Sequence, residues 1–323
     1  SVVGEATPRG PMSNQISMGE LYPRDVHENI QPLSVNHDVR KVRVQSLVAG
    51  GGIGGSALFR YLAEAGQEPV LINYGRGSSW RNIAGGRPNF SLPELSEIAE
   101  NNNRIFQELQ EVANIDYRPI RYVTFAHNDE IYKILEKSME WSDAYMIDPK
   151  DFRKELSPHF NTNLNTYKGA LVARNCWQST PGRVLDLIRH LGEKNGGTVE
   201  EDCRVIDVKK EGDTYKVLVR NHNKEYVEYQ TEIFVNALGP EGPDFASKMG
   251  IETGLFSVKH QAFITRRLPY LGVNGDHLPM MIDRRNYKGF VAVYGQQLAE
   301  TGQVIGCASP DRKSTRLNSS HYS

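Results

Sequence analysis

The sequence predicts an α/β protein in which a parallel-stranded β-α-β unit is interleaved with an α+β part built on a mainly antiparallel sheet. Three observations carry this expectation. In "VQSLVAGGGIGGSALFRYLAEAGQEPVLIN", residues 44–73, a glycine cluster separates an apolar run from a helical period, and a second apolar run follows. "VIDVKKEGDTYKVLVRNHNKEYVEYQTEIFVNALG" reads as a β-meander feeding an apolar strand that ends in glycine. Further strand-like runs, "RPIRYVTFA" and "GFVAVYG", lie outside both, and no repeat at solenoid spacing is present.

Taken in order, residues 1–40 are polar, carry Pro8, Pro11, Pro23 and Pro32, and show no helical or strand period. Such a segment buries too little to offset its ordering entropy, so a loosely ordered leader is expected. "VQSLVA" reads as a short buried strand. "GSALFRYLAEAG" follows as a helix with Leu58, Leu62 and Ala65 on one face and Gly66 as its stop. "PVLIN" is the second strand. From Leu92 to Ile115, Leu95, Ile98, Ile105, Leu109 and Val112 mark a long amphipathic helix. "RPIRYVTFA" is a strand and "DEIYKILEKSMEWSD" a helix. "TPGRVLDLIRHLGEKNG" carries Val184, Leu187, Ile188 and Leu191 on one helical face, with Pro181 suited to its first turn. After the meander, "FSVKHQAFITRRL" and "GFVAVYG" add strands. The expected partition is a nucleotide-binding part over 41–117 and 166–250 and a second part over 118–165 and 251–310. The end, "DRKSTRLNSSHYS" (311–323), has no apolar period and reads as a non-native, scar-like tail, which implies a C-terminally truncated chain.

Composition narrows the function classes. With 323 residues and a formal net charge of −1, the chain has no basic footprint for nucleic acid and no polybasic surface for anionic lipid. No apolar run approaches the ~18 residues of a membrane helix, so no membrane span is expected. The first forty residues contain Glu5, Glu20, Asp25, Glu28 and Asp38, unlike a transit peptide. Cys176, Cys203 and Cys307 stand far apart. That spacing suits a reducing, cytoplasmic location and forms no metal-ligand cluster.

The glycine cluster carries chemistry. G-x-G-x-x-G falls on Gly50, Gly52 and Gly55. In that pattern the first glycine permits the tight turn and the second lets backbone approach a pyrophosphate. The third lets helix and strand pack closely, and the helix N-terminus faces the phosphates. The second strand should end in an acid that accepts from ribose hydroxyls, but Asn73 stands there. Its carbonyl can accept without charge assistance. Arg76 nearby also matches a site for an NADP 2′-phosphate, so the motif alone leaves FAD, NAD and NADP open.

Two further stretches bear on the choice. "RGSSWRNIAGGRPNF" (76–90) directly follows the second strand, and "FVNALGPEG" (234–242) ends a later one. With the glycine motif in this order, they resemble the D-amino-acid-oxidase-like family of FAD-dependent oxidoreductases, which includes glycine oxidase, sarcosine oxidase and dimethylglycine dehydrogenase. The resemblance implies a Rossmann-like FAD-binding domain interleaved with a substrate domain. It places Gly50, Gly52, Ile53, Gly54, Gly55 and Asn73 at the dinucleotide. It places Tyr74, Ser78, Ser79, Asn82, Gly85 and Gly86 beside the flavin diphosphate and ring, and Ala237, Gly239 and Pro240 near the same phosphates. Backbone near Val205 would lie by the adenine. "VKHQAFITRRLP" is similar to the strand by which the family enters its substrate domain. Between Asn73 and Phe90 there is no His or Cys, so the flavin is expected to be non-covalent. Nothing after Pro310 resembles the family's last glycine-rich segment, so the chain is expected to be incomplete.

The implied activity is removal of a hydride from the carbon beside the nitrogen of an amino acid or a secondary or tertiary amine. The imine product then hydrolyses. The resemblance leaves the electron acceptor open. Substrates of that family usually carry a carboxylate, which arginine is suited to grip bidentately. Arg284, Arg285, Tyr287 and Tyr294 in "MMIDRRNYKGFVAVYG", with His260 in "KHQ", are the candidate substrate-side residues. Trp80 and Trp177 are expected to pack, and Cys176 to act as a small buried hydrophobe. Two other readings compete: an NADP-dependent reductase, favoured by Asn73 with Arg76, and a non-catalytic fragment.

Overall fold

The computed structural model describes residues 39–158, 160, 164–257, 261–271, 277–285, 290–298 and 301–310. His260, Tyr287, the leader to residue 38 and the tail 311–323 lie outside the described residues. Strand β1 (Arg40–Arg43) is followed by β2 (Ser46–Ala49), helix α1 (Ile53–Glu64) and β3 (Pro69–Ile72). Next come β4 (Gly85–Gly86), α2 (Pro93–Val112), β5 (Arg118–Ala126), α3 (Asp129–Lys137), β6 (Ala144–Ile147), α4 (Phe152–Glu155) and β7 (Gly169–Gln178). Helix α5 (Pro181–Lys194) leads to β8 (Thr198–Glu200) and the meander β9 (Arg204–Glu211), β10 (Thr214–Arg220) and β11 (Tyr226–Thr231). The described chain ends with β12 (Ile233–Asn236), α6 (Gly242–Lys248), β13 (Ala262–Ile264), β14 (Met280–Asp283), β15 (Phe290–Leu298) and β16 (Gln303–Pro310).

These strands form three sheets. The first is wholly parallel, in the order β12-β2-β3-β8. β2 is buried along its length, as a strand covered on both faces must be. The meander makes a second sheet, β1-β11-β10-β9, whose inner face (Val205, Val208, Val217, Val219 and Val227) packs with Leu47 and Ile72 of the parallel sheet. The third has eight strands, β13-β16-β15-β14-β5-β7-β4 with β6 paired to β7. It is antiparallel except where β14 runs parallel to β5. The architecture is the mixed α/β fold with a mainly antiparallel third sheet that the sequence predicts.

Three details differ from expectation. The partition placed residues from 166 onward with the nucleotide-binding part, but β7 pairs along its length with β5 and is hydrogen-bonded into the third sheet. In α1 the buried face is Gly55, Ser56, Phe59 and Ala63, while Leu58 and Tyr61 point outward. The reason lies on α5 and the turn after it. Gly192 and Gly197 leave room for the Phe59 ring, whose atoms a Cβ at either glycine would approach within about 2.6 Å. In α2, Leu95, Ile98 and Val112 are exposed. Ser96, Ala99 and Leu109 are buried instead; Leu109 joins Ile115, Val184, Leu187 and Ile188 in one cluster. The N-terminal half of α2 approaches closely through small residues, and Ser96 Oγ accepts from the Phe90 amide at 3.0 Å.

Candidate functional site

The parallel sheet positions the glycine turn. Gly50 donates to Ile72 O at 2.9 Å and Ala237 donates to Ala49 O at 2.8 Å, so the turn is held between the ends of β3 and β12. Gly50 has φ +106°, and a Cβ there would overlap the Ala237 carbonyl. A Cβ on Gly55 would overlap the Gly50 carbonyl oxygen and lie 3.0 Å from Ala237 Cβ, so Gly55 is required for helix against strand. Gly52 and Gly54 differ. At Gly52 a Cβ would meet only Ser79, with Oγ at 3.1 Å, and at Gly54 nothing within 4 Å. Helix α1 starts without a side-chain cap of its own, and Ser79 Oγ accepts from the Ile53 amide at 2.9 Å. The start of α1 thus presents positive-end amides to open space, the environment that a diphosphate requires.

The loop after β3 is built by its own polar residues. Asn82 accepts from the Ala84 amide at 2.6 Å and donates to Ser79 O at 2.5 Å, and Ser78 and Ser79 lie in a single 3-10 turn. Trp80 packs on Gly182 of α5 with Arg76 stacked over it at 4.7 Å, a packing role as expected. Tyr74 lies under Arg204 at 5.5 Å. Gly85 and Gly86 pair with Gln178 and Trp177. A Cβ on Gly85 would overlap the Tyr122 hydroxyl, and one on Gly86 the Trp177 indole. At the other edge, Gly239 has φ +58° and Pro240 O accepts from Ser257 Oγ at 2.8 Å. Val205 is buried in the meander core.

Asn73 is 7% exposed. Its Oδ1 accepts from the Gly51 amide at 3.2 Å and its Nδ2 donates to Glu201 Oε2 at 2.6 Å. The carbonyl that was expected to face a ribose hydroxyl is therefore directed at the glycine turn.

A cavity of about 480 Å³ opens on one face of the third sheet. The register explains its lining: Met280 pairs with Tyr122, and Ile282 pairs with both Thr124 and Tyr294, so all five side chains share a face. Gly85, Arg87, Phe90, Leu171 and Arg284 complete much of the wall. The Arg87 side chain stacks on Phe90 at 4.4 Å and donates to Asn89 O. Burial lowers its pKa, and Arg284 lowers it further. Among the described residues, neither arginine has a carboxylate in ion-pair range. Burial pushes the Tyr294 phenol up to about 12 and the Tyr122 phenol up as well. Both are neutral donors at ordinary pH. Gln296 lies beside Tyr122 at Gly85, and neither of its buried amide atoms has a hydrogen-bond partner among the described residues.

Of the candidate substrate-side residues, the structure brings Arg284 and Tyr294 to this cavity. Arg285 is not there. Its guanidinium is bound to Asp283 Oδ2 at 2.6 Å and to the Tyr167 hydroxyl at 3.0 Å, on the opposite face, where a turn just past β14 has the Arg285 amide donating to Asp283 Oδ1 at 2.9 Å. Arg87, Tyr122 and Gln296 were missed. Arg87 directly follows the Gly-Gly pair, and Tyr122 and Thr124 alternate with Val123 and Phe125, signals that acquire meaning only once the strands are paired.

The comparisons agree with this geometry. Residues 46–316 match the family described as "DAO: FAD dependent oxidoreductase". A curated relative, 4-methylaminobutanoate oxidase (formaldehyde-forming) of Paenarthrobacter nicotinovorans, is 22% identical over 259 residues. The match covers 75% of this chain but 30% of the relative. Among solved structures, L-proline dehydrogenase from P. horikoshii superposes with a TM-score of 0.68 at 20% identity, covering 88% of this chain and 76% of the other. Glycine oxidase from Geobacillus kaustophilus gives 0.67 at 14%, covering 83% and 72%. The open start of α1 and the close-packed glycines of the turn fit a flavin dinucleotide. By the extent of the family match, the chain belongs to the FAD dependent oxidoreductase family.

Proposed function

We propose that this protein holds FAD non-covalently. It oxidises the carbon beside the nitrogen of an amino acid, or of an amine that carries a carboxylate. The observation that carries the reading is the pair Arg87 and Arg284, without carboxylate partners among the described residues, on one cavity beside the Gly85–Gly86 backbone. The substrates in the names of the relatives (proline, glycine, 4-methylaminobutanoate) all combine an amine with a carboxylate. When bound, FAD supplies the hydride acceptor, and the imine product hydrolyses. The chain's own residues hold and orient. Arg87 and Arg284 grip the carboxylate, with Arg87 fixed by Phe90 and Asn89 O. Tyr122 and Tyr294 stay protonated and donate hydrogen bonds, while Phe90, Leu171, Met280 and Ile282 exclude water around the reacting carbon. The parallel and meander sheets serve as the FAD-binding part and the third sheet as the substrate part. The buried cysteines Cys176, Cys203 and Cys307, not joined in disulfides, support a reducing, cytoplasmic setting. Among the described residues no helix is long and apolar enough to cross a membrane.

The test is spectroscopic. The purified protein should be yellow, release its flavin on acid precipitation and bleach when mixed anaerobically with an amino acid or N-methylated amino acid. Arg87→Ala and Arg284→Ala should each raise KM for a carboxylate-bearing substrate by ten- to a hundredfold, about 1.4 to 3 kcal/mol. An unchanged KM for the carboxylate substrate in both variants, or an equal loss for its methyl ester, would sink the arginine assignment. A colourless protein stabilised by NADPH would sink the flavin.

A further inference from the structure

We propose that Glu201, rather than the residue ending β3, supplies the charged acceptor for the adenosine ribose, and that its charge shuts out nucleotides bearing a 2′-phosphate. The inference rests on the FAD reading and goes beyond it by naming a binding residue from a different strand and a specificity that follows. In a β-α-β nucleotide unit an acid at the end of the second strand accepts from the ribose hydroxyls. Here that place holds Asn73, buried, with Oδ1 committed to Gly51 N and Nδ2 to Glu201 Oε2.

Glu201 is delivered to the same point by sheet pairing. β8 runs parallel to β3 with Ile72 opposite Glu200. The Asn73 amide donates to Glu200 O at 2.9 Å, and Cys203 N donates to Asn73 O at 2.9 Å. Glu201 therefore follows β8 at the carboxyl edge, alongside Asn73. Its other oxygen accepts from Arg189 Nη1 at 2.7 Å. Arg189 is 6% exposed, and it also donates to Ser56 Oγ at 3.2 Å and to Gly51 O. Asn73 and Arg189 are thus positioning residues: one links the carboxylate to the glycine turn, the other fixes it from the helix side.

Neutralising a buried arginine would not by itself require a carboxylate facing solvent. Yet the Glu201 side chain is 52% exposed while the Arg189 side chain is 8% exposed. Each carboxylate oxygen accepts two hydrogen bonds, and each has one engaged in this network, so both retain acceptor capacity toward the open side. A negative charge there attracts hydroxyl donors and repels a phosphate in the same place, which opposes the NADP reading of Asn73 and Arg76.

The experiment titrates apoprotein with FAD by quenching of flavin fluorescence, with ADP and adenosine 2′,5′-bisphosphate as competitors and a melting curve of each apoprotein. Glu201→Gln keeps an acceptor for Arg189 but removes the charge. The Kd for FAD should rise about tenfold, and the bisphosphate should gain on ADP as a competitor. The double variant Asn73→Asp with Glu201→Gln exchanges the two functional groups, so that the introduced amide donates to the introduced carboxylate while still accepting from Arg189. It should recover any loss in the melting curve but leave the Kd raised, because residue 73 stays turned to the glycine turn while the open position carries no charge. An unchanged Kd in Glu201→Gln, or a Kd that the exchanged pair returns to the wild-type value, overturns the inference and leaves the FAD reading standing. A wild-type protein that binds no FAD overturns both.

Discussion

The glycines of the turn have separable jobs, and alanine at each should show it. At Gly55 a Cβ would overlap the Gly50 carbonyl oxygen, lie 3.1 Å from Gly50 C and 3.0 Å from Ala237 Cβ, at or inside the limit real Cβ atoms keep. Two of the three neighbours are backbone, tied by the Gly50 N–Ile72 O and Ala237 N–Ala49 O hydrogen bonds, so they cannot swing aside as a flexible side chain would. Overpacking of this kind costs about 1–3 kcal/mol or more. The helix propensity gained by Gly→Ala offsets at most about 1 kcal/mol. Gly55→Ala should therefore lose about 2 kcal/mol of stability in the apoprotein, read as a lower urea midpoint at unchanged slope. Gly52→Ala meets only the Ser79 hydroxyl, at 3.1 Å, so its urea midpoint should move by no more than about 0.5 kcal/mol, while its affinity for FAD falls at least tenfold. Equal midpoints for wild type and Gly55→Ala would refute the close approach. A full loss of stability in Gly52→Ala would refute the open cradle at the start of α1.

Arg285→Ala should leave KM within about twofold, because its guanidinium serves Asp283 and Tyr167 on the far face, and should lower stability by about 1 kcal/mol in urea titration. A KM effect as large as that of Arg284→Ala would reverse the assignment. Burial raises the Tyr294 and Tyr229 phenols to about 12 in the folded protein, above their ordinary value. The stability that comes from keeping them neutral is complete below the unfolded pKa of about 10 and is lost as pH rises toward 12. A urea midpoint that is level from pH 8 to 9.5 and then falls is the expected profile. A fall beginning near neutrality would contradict it. For the same reason the pH–rate profile should contain no tyrosine ionisation below about pH 11.

Much of the nucleotide unit was legible in the chain, because its signals are local. A glycine between two apolar runs specifies a turn and a helix start by backbone sterics alone, and alternation over a few residues marks the strands β9, β10 and β11. "RPIRYVTFA" coincides with β5. Residue order also marked Arg284 and Tyr294, which the structure brings to one cavity. The same local reasoning missed which face of α1 is inward. Phe59 is buried because Gly192 and Gly197, distant in sequence, leave space for its ring, and no period within the helix encodes that.

The sequence by itself determined the glycine turn, the order of the strands and the family to which they belong, since each is written in contiguous residues. Tertiary structure decided the rest. Pairing of β7 with β5 joined it to the third sheet, and the pairing of β14 with β5 and β15 brought Tyr122, Ile282 and Tyr294 onto one wall. Hydrogen bonds to Asp283 and Tyr167 held Arg285 on the far face while its neighbour Arg284 reached the cavity. Parallel pairing of β8 with β3 set a carboxylate beside Asn73. A contact between remote residues depends on register and twist, which the whole sheet sets.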